Sequence, residues 1–395
     1  MPMQPQTDVV LAPETFEVIK RRMKTARRCA RARAFDPSFA LETPNEIGFK
    51  LTNRCDLRCA HCFQWNEHGH HRTYEREALV ARGDLELAIV EKVLAATLGH
   101  RNILYFWGGE PLVYREFEAL SRLLEHETAK KIMCTNGIAV QRQMDNLCRM
   151  SRHFTLMFSV EGLEPEHDQL RGKGSFARTM RNLGLLRDMQ AGGHFLGTID
   201  VACVVSDGLA NHLGEFCKRM ESERIDTLYI NFPWFIPQSV ARQVDDYFAA
   251  NFAWMGSDRG ALNSWHSFDY HIDPGVIEGL LQEVREIKSR KWRIRIRFRP
   301  QLKESEIRDF ILGTPNPYED RSMCLGLSSR IDIQTNGSVT PCKKFPEFVV
   351  GNLQRSSLQE IWTGEAYRRF RSIHNNTVNP LCLKCEILEM TGVKG

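Results

Sequence analysis

Apolar segments of strand length alternate with amphipathic segments between residues 46 and 235. The amphipathic segments, such as residues 85–96 and 116–125, repeat apolar positions at the helical period. Six consecutive strand–helix units predict an α/β fold: a parallel sheet with outer helices, open or curled into a partial, TIM-like (β/α)6 barrel. In such folds the chemistry lies at the carboxyl ends of the strands. The predicted strands are residues 46–52, 102–108, 131–134, 155–160, 198–205 and 227–232.

The flanking segments have patterns of their own. Residues 13–34 place Phe16, Ile19 and Met23 on one helical face opposite a basic face, which predicts a helix docked on the core with a solvated basic side. Residues 292–299 alternate arginine with apolar residues, which predicts a half-buried strand with a solvated arginine face, followed by a linker after Pro300. The predicted divisions are an N-terminal helix and lead-in (1–45), a barrel core (46–235), a mostly helical connecting region (236–319) and a small cysteine-rich module (320–395).

Composition narrows the class of protein. The chain is 42% apolar and 26% charged, an ordinary balance for a soluble globular protein. Its apolar segments fall short of the roughly 18 residues of a membrane span. The formal charge of +4 is too small to indicate a nucleic-acid partner. Because the N-terminus has no secretion pattern, we expect a cytoplasmic protein, whose clustered cysteines bind metal instead of forming disulfides.

Three cysteines follow the first predicted strand with the spacing Cys55-x3-Cys59-x2-Cys62. Thiolates are soft ligands that suit zinc or iron–sulfur clusters. A structural zinc ion would need a fourth ligand, and His61 lies inside the loop, where it is poorly placed to complete such a site. Three thiolates on a four-iron cluster leave one iron open to a substrate, so this motif predicts a catalytic cluster.

Four further cysteines are grouped near the C-terminus. Cys324 and Cys342 flank a predicted hairpin with Asn336-Gly337 at its turn, a strong hairpin signal. Cys382 and Cys385 form a later Cys-x2-Cys pair. Four such thiolates suit zinc as well as an iron–sulfur cluster, and the residues alone leave both alternatives open.

The first motif, Cys-x3-Cys-x-aromatic-Cys after the first strand of a βα barrel, resembles that of the radical S-adenosylmethionine (SAM) superfamily, with His61 at the aromatic position. The resemblance implies a 4Fe-4S cluster on Cys55, Cys59 and Cys62, whose open iron binds SAM. It also implies an external electron donor of the flavodoxin or ferredoxin type. The aromatic position and further motifs are similar to SAM contacts of this superfamily, and they nominate His61, Gly108, Gly109, Glu110, Asn136, Ser159 and Arg171.

The C-terminal cysteines resemble those of the SPASM/twitch module of radical SAM enzymes. The full SPASM form has seven cysteines, whereas only four occur here and the sequence ends ten residues after Cys385, which favours a twitch form with one auxiliary 4Fe-4S cluster. Some relatives carry a catalytic aspartate beside the second module cysteine. Here Lys343 and Lys344 follow Cys342, which leaves Glu161 as the candidate base.

Three functions are compatible with these motifs. The first is oxidation of a small molecule in natural-product biosynthesis, with the auxiliary cluster as electron acceptor. The second is a maturase that crosslinks a ribosomally made peptide; the 45 residues before the first strand are too few for a recognition domain, so a separate recognition protein is expected. The third, a non-enzymatic zinc or iron–sulfur protein, leaves the open three-cysteine site unexplained.

The grouping of seven cysteines as three plus four predicts the iron content. Anaerobically reconstituted protein should bind about eight irons in two 4Fe-4S clusters. Replacing Cys55, Cys59 and Cys62 together with alanine should leave about four irons and abolish SAM cleavage. Iron and sulfide analysis checks both statements; stoichiometric zinc without sulfide would contradict the iron–sulfur assignment.

Overall fold

A computed structural model describes residues 4–10, 13–72, 83–255, 263–313, 323–375, 379–385, 388 and 392–393. The strands are β1 Gln6–Thr7, β2 Glu46–Thr52, β3 Ile103–Gly108, β4 Lys130–Thr135, β5 Phe154–Ser159, β6 Thr198–Val204, β7 Thr227–Asn231, β8 Lys291–Trp292, β9 Arg295–Arg299, β10 Met323–Cys324, β11 Arg330–Ile333, β12 Ser338–Thr340, β13 Gly351–Asn352 and β14 Gly392–Val393. The α-helices are α1 Pro13–Arg33, α2 Leu87–Ala96, α3 Phe117–Leu123, α4 Met144–Arg149, α5 Glu164–Arg171, α6 Ser175–Ala191, α7 Leu213–Ser222, α8 Gln238–Phe252, α9 Ile277–Ser289, α10 Glu304–Leu312, α11 Leu358–Thr363 and α12 Glu365–Ile373.

Strands β2 to β7 lie side by side in chain order and pair in parallel. This arrangement confirms the predicted α/β fold, and the six strand bounds agree with the sequence prediction to within one residue at each end. β9 adds a parallel strand beside β7, and β11 adds another beside β2. With β12 and β13 the sheet has ten strands, and β9 and β13 are its two ends.

The core lies between the sheet and its outer helices. Alternate residues of a strand point to opposite faces, so Ile47, Phe49 and Leu51 of β2 share one face, and all three are fully buried in the main hydrophobic cluster. The other face carries polar residues such as Lys50 and, on β6, Asp200, both of which are also buried. The carboxyl ends of the strands therefore open onto a polar interior.

The C-terminal module continues the barrel sheet. β11 pairs with β2 in parallel from Arg330↔Glu46 to Ile333↔Phe49, and the predicted hairpin at Asn336-Gly337 joins β11 to β12. The Arg330 side chain ties the two strands together: its Nε lies 2.9 Å from Asp332 Oδ2 and its Nη1 3.0 Å from Glu46 Oε1. The module is thus built onto the strand that leads into the first cysteine motif.

Two expectations outside the core were wrong. The segment after Pro300 contains helix α10, where a linker was predicted. The first half of α1 does not dock: Phe16 and Met23 are 56% and 55% exposed. The C-terminal end of α1 is anchored, because Arg33 is buried and donates to the backbone oxygens of Cys324 and Arg371.

The arginine-rich segment splits into β8 and β9, and its last three arginines are half-buried instead of solvated. The boundary predicted near residue 320 lies outside the described residues. In the part of the chain that is described, no helix has both the length and the apolar composition needed to cross a membrane.

The buried ion pairs of Arg330 should stabilise the junction between module and barrel. Replacing Arg330 with methionine leaves Asp332 and Glu46 without this cation, and breaking a buried ion pair typically costs about 3–5 kcal/mol. Urea denaturation of the anaerobic, cluster-loaded protein measures this loss in the free energy of unfolding.

The matched control is Arg22→Gln, because Arg22 is exposed and pairs with the same Glu46, at 3.0 Å. An exposed pair contributes less than about 1 kcal/mol, so this variant should unfold almost as the parent does. Equal losses in the two variants would contradict the structural role of Arg330.

Candidate active site

A cavity of about 390 Å³ lies at the carboxyl ends of the strands. It contains all three cysteines of the first motif, together with every SAM-contact candidate nominated by the sequence; those candidates are His61, Gly108, Gly109, Glu110, Asn136, Ser159 and Arg171. These residues come from the loop after β2, the ends of β3, β4 and β5, and helix α5. The fold therefore brings together residues that are more than 100 positions apart in the sequence.

The cysteine loop is held by its neighbours. At its start, Gly109 N donates to Thr52 O at 2.7 Å and Glu110 N donates to Arg54 O at 2.8 Å. Further along, the Asn136 amide donates to Asp56 Oδ1 at 2.7 Å. Backbone and side-chain groups from the ends of β3 and β4 thus fix the loop on one side.

Gly108 and Gly109 allow this close backbone contact. A Cβ atom on Gly108 would lie 2.4 Å from Thr52 O, and one on Gly109 would lie 2.1 Å from Arg54 O. Both distances are far below van der Waals contact, and the obstructing atoms belong to the backbone. The glycines are therefore required by the cysteine loop itself, whether or not a cofactor also approaches them.

Burial disfavours the charged forms of the three thiols. It raises the pKa of Cys59 to about 11, against the opposing effect of the Arg171 guanidinium. Burial also raises the pKa values of Cys55 and Cys62. Neighbouring thiols raise the pKa further at Cys55 and at Cys59. An iron cluster would hold them as thiolates, because metal binding displaces the protons.

Three buried polar atoms on this cavity have no hydrogen-bond partner among the described residues. They are Nδ1 of His61, Nε1 of Trp65 and Nε1 of Trp107. Buried polar groups are normally satisfied, so their presence beside three thiols fits a site that receives a ligand. The soft donor set, the glycine contact and these three atoms together fit a 4Fe-4S cluster with a bound polar cofactor.

Glu161 is the centre of a charged network behind the cavity wall. Its Oε1 accepts from Arg171 Nε at 3.1 Å and from Nη2 at 2.5 Å, and it lies 3.3 Å from His61 Nε2. Its Oε2 accepts from Val204 N at 2.5 Å. Although burial opposes ionisation, the Arg171 and His61 groups hold the pKa of Glu161 well below its usual range. The carboxylate remains charged and both oxygens are engaged.

Glu110 is also enclosed by donors. It accepts from Leu112 N, Thr135 Oγ1 and Asn136 N at 2.7–3.0 Å. Burial raises its pKa to about 7, although these hydrogen bonds act in the opposite direction. Its carboxyl group links the ends of β3 and β4.

The four C-terminal cysteines converge in space. Burial raises the pKa of Cys342 to about 12, and the nearby thiols of Cys385 and Cys324 raise it further. Burial raises the pKa of Cys382 well above its usual range, with added effects from Cys385, Cys324 and Cys342. Thiols that influence one another in this way lie within electrostatic reach of one another. Four soft ligands suit a fully ligated iron–sulfur cluster.

Several cavity residues were not found by sequence reasoning. Phe268 and Tyr270 come from an irregular segment without periodicity, and Phe310 comes from the helix where a linker was predicted. Arg299 was assigned to a solvated face. Cys134, which belongs to neither of the two predicted cysteine groups, also lines the cavity, and its sulfur lies 2.7 Å from the Tyr105 hydroxyl. The usable signals among these were the alternation of residues 292–299 and the helical spacing of Ile307, Phe310 and Ile311.

The glycine contact predicts a sharp effect of one methyl group. Gly109→Ala should displace the cysteine loop, so reconstituted protein should lose about four irons and its SAM cleavage. Gly184→Ala is the control, because Gly184 lies within α6 and nothing lies within 4 Å of its Cβ position. Normal iron content and SAM cleavage in Gly109→Ala would contradict the role assigned to this contact.

Comparisons with known proteins agree with this geometry. Residues 49–207 match the radical SAM superfamily, and residues 324–386 match the SPASM iron–sulfur cluster-binding domain. The AdoMet-dependent heme synthase of Methanosarcina barkeri is 23% identical over 335 residues, which cover 83% of this chain and 85% of that protein. The serine-type anaerobic sulfatase-maturating enzyme of Bacteroides thetaiotaomicron is 23% identical over 351 residues, 85% of this chain and 78% of that protein.

Streptococcus suis SuiB, in a crystal structure with its precursor peptide SuiA, has the same fold. It superposes with a TM-score of 0.59 and 16% identity, over 97% of this chain and 76% of SuiB. A radical SAM domain implies a SAM-binding 4Fe-4S cluster, and a SPASM domain implies auxiliary iron–sulfur clusters. The chain thus combines a radical SAM domain with a SPASM iron–sulfur cluster-binding domain.

Proposed function

We propose that the enzyme abstracts hydrogen from a small molecule and oxidises it in natural-product biosynthesis. The observation that carries this proposal is one cavity lined both by the thiols of the first motif and by Lys343 and Lys344 of the module. When bound, the first cluster and SAM would supply a 5′-deoxyadenosyl radical through reductive cleavage of SAM. The auxiliary cluster would supply an acceptor for the second electron that leaves the substrate. A cavity of about 390 Å³ has the size of a small-molecule site.

Cys55, Cys59 and Cys62 would hold the SAM-cleaving cluster in this proposal. The predicted SAM contacts, which are His61, Gly108, Gly109, Glu110, Asn136, Ser159 and Arg171, would enclose the cofactor, since all of them line the cavity. The Nδ1 atom of His61 and the indole N–H groups of Trp65 and Trp107 would be available for hydrogen bonds to SAM.

Arg171 would serve two partners. Its Nε and Nη2 bind Glu161, which leaves Nη1 for the SAM carboxylate. Glu161 would then orient Arg171 and His61 instead of acting as the base, because its carboxylate stays charged and both its oxygens accept hydrogen bonds. The proton acceptor of the oxidation is to be sought among other groups on the cavity.

The module would contribute one auxiliary cluster. Cys324, Cys342, Cys382 and Cys385 are four ligands for one 4Fe-4S centre, the twitch-like arrangement, and full ligation by thiolates would close it to substrate. An external flavodoxin- or ferredoxin-type protein would supply the reducing electron.

A peptide maturase is the second candidate function. The sulfatase-maturating relative aligns over 85% of this chain, and SuiB was solved with a precursor peptide. A short precursor-peptide gene beside the gene for this chain would favour this candidate over a small-molecule oxidase.

The role of the auxiliary site can be tested with Cys382→Ala, Cys385→Ala protein. We expect it to cleave SAM and to move deuterium from labelled substrate into 5′-deoxyadenosine, but without a matching amount of oxidised product, because no acceptor takes the second electron. Mass spectrometry of both products measures the ratio of oxidised product to 5′-deoxyadenosine.

The control is Cys148→Ala, Cys217→Ala, which removes two thiols that lie outside both cysteine groups. Its ratio of oxidised product to 5′-deoxyadenosine should equal that of the parent enzyme. Oxidised product formed at the normal rate by the Cys382, Cys385 variant would mean that the auxiliary centre is structural.

A further inference from the structure

A buried lysine lies on β2, five residues before the first cysteine of the loop. Lys50 is only 4% exposed, and strand alternation places it on the face opposite Phe49, toward the polar interior. Its Nζ lies 3.3 Å from His71 Nε2 and 5.3 Å from the centroid of the Trp107 ring. Lysine is almost never buried to this extent unless an opposite charge pairs with it. That charge must be close by.

The two nearest side chains do not supply this charge. Burial, together with the positive charge of Lys50, lowers the pKa of His71 well below its usual range, so the ring is neutral. Trp107 contributes a ring face, which attracts a cation without neutralising its charge. Among the described residues, the opposite charge within electrostatic reach of Lys50 is the thiolate of Cys62. Burial lowers the pKa of Lys50 to about 7, and this thiolate acts in the opposite direction.

The segment that follows Cys62 holds Lys50 in place. His71 N donates to Gln64 O at 3.0 Å, and His71 Nε2 lies 3.0 Å from Gln64 Oε1. The Gln64 amide in turn donates to Gly108 O at 3.3 Å, at the end of β3. These contacts fix the lysine side chain between β3 and the residues that come directly after Cys62.

Cys62 has two cations within electrostatic reach, and one of them is already paired. Burial raises the pKa of Cys62, while backbone N–H groups of the loop and then Arg171 and Lys50 oppose this effect. Arg171 is bound to Glu161, with Nη2 at 2.5 Å from Oε1. The charge of Arg171 is therefore balanced by a carboxylate, whereas the charge of Lys50 is directed at the sulfur of Cys62.

We propose that Lys50 is the fixed counter-charge of the first cluster and raises its reduction potential. This proposal rests on the proposed function, which assigns Cys55, Cys59 and Cys62 to that cluster. A four-iron core with three thiolates is net negative and gains a further negative charge on reduction. A buried cation beside one thiolate therefore stabilises the reduced form more than the oxidised form. Lys50 would thus ease electron transfer from the external donor to the cluster.

The test is the midpoint potential of the first cluster in anaerobically reconstituted protein, measured by a redox titration followed by electron paramagnetic resonance. The auxiliary cluster's signal is identified as the one missing from the Cys382→Ala, Cys385→Ala variant. Lys50→Met keeps the length of the side chain and removes its charge. In this variant the ratio of reduced to oxidised first cluster at a given potential should fall about ten-fold, which is about 59 mV for a one-electron couple.

Two further variants separate charge from packing. Lys50→Arg keeps the charge, so its first-cluster potential should lie close to that of the parent enzyme. The matched control is Lys131→Met, because Lys131 is also buried and its ammonium donates to Glu127 O at 2.7 Å. Lys131 lies near the start of β4, whereas Thr135 at the end of that strand lines the cavity. Losing this remote charge should leave the potential unchanged.

An equal or higher potential in Lys50→Met than in the parent enzyme overturns the proposal. An equal fall in Lys50→Arg or in Lys131→Met also overturns it, because the charge at position 50 would then not be the cause. If Lys50→Met binds no first cluster, uptake by Lys50→Arg supports the need for a charge, and failure of both variants overturns it. The cluster assignment fails separately if replacing Cys55, Cys59 and Cys62 with alanine leaves both signals in place.

Discussion

The cysteine loop after β2 keeps its shape because neighbouring strand ends hold it, through backbone hydrogen bonds from Gly109 and Glu110 and a side-chain bond from Asn136. Short irregular loops have little buried surface of their own, so their geometry must come from such contacts. Every other property of the site depends on this loop. The convergence of three thiols, the burial that disfavours their ionisation and the position of His61 beside Glu161 all follow from it.

The two domains act as one structural unit around that loop. β11 lies against β2, and the Asn53 amide at the start of the loop donates to Thr335 Oγ1 in the module hairpin at 3.1 Å. Lys343 and Lys344 then reach the cavity from the same module. A sheet shared between barrel and module therefore positions both the thiol site and the side of the cavity that Lys343 and Lys344 line.

Local patterns predicted the barrel well, because buried parallel strands are short apolar segments that repeat along the chain. The cysteine spacings predicted the two thiol groups, because a spacing of a few residues is also a local pattern. Non-local contacts could not be predicted. The Arg171–Glu161 pair has no signature in a spacing of ten residues, and the exposed half of α1 has the same apolar stripe as a docked helix. Helix α10 was recognisable, since Ile307, Phe310 and Ile311 have helical spacing, but the adjacent Pro300 suggested a linker.

The pairing of β11 with β2 also has a consequence for how the chain is made. The Arg330–Glu46 contact spans 284 positions, so the first barrel strand emerges from the ribosome long before its neighbour exists. Until then one side of β2 presents unpaired backbone groups, the kind of edge that invites pairing with other chains. Biosynthesis must therefore protect a nascent barrel whose cysteine loop is complete but whose sheet is not, until a strand made 284 positions later covers this edge.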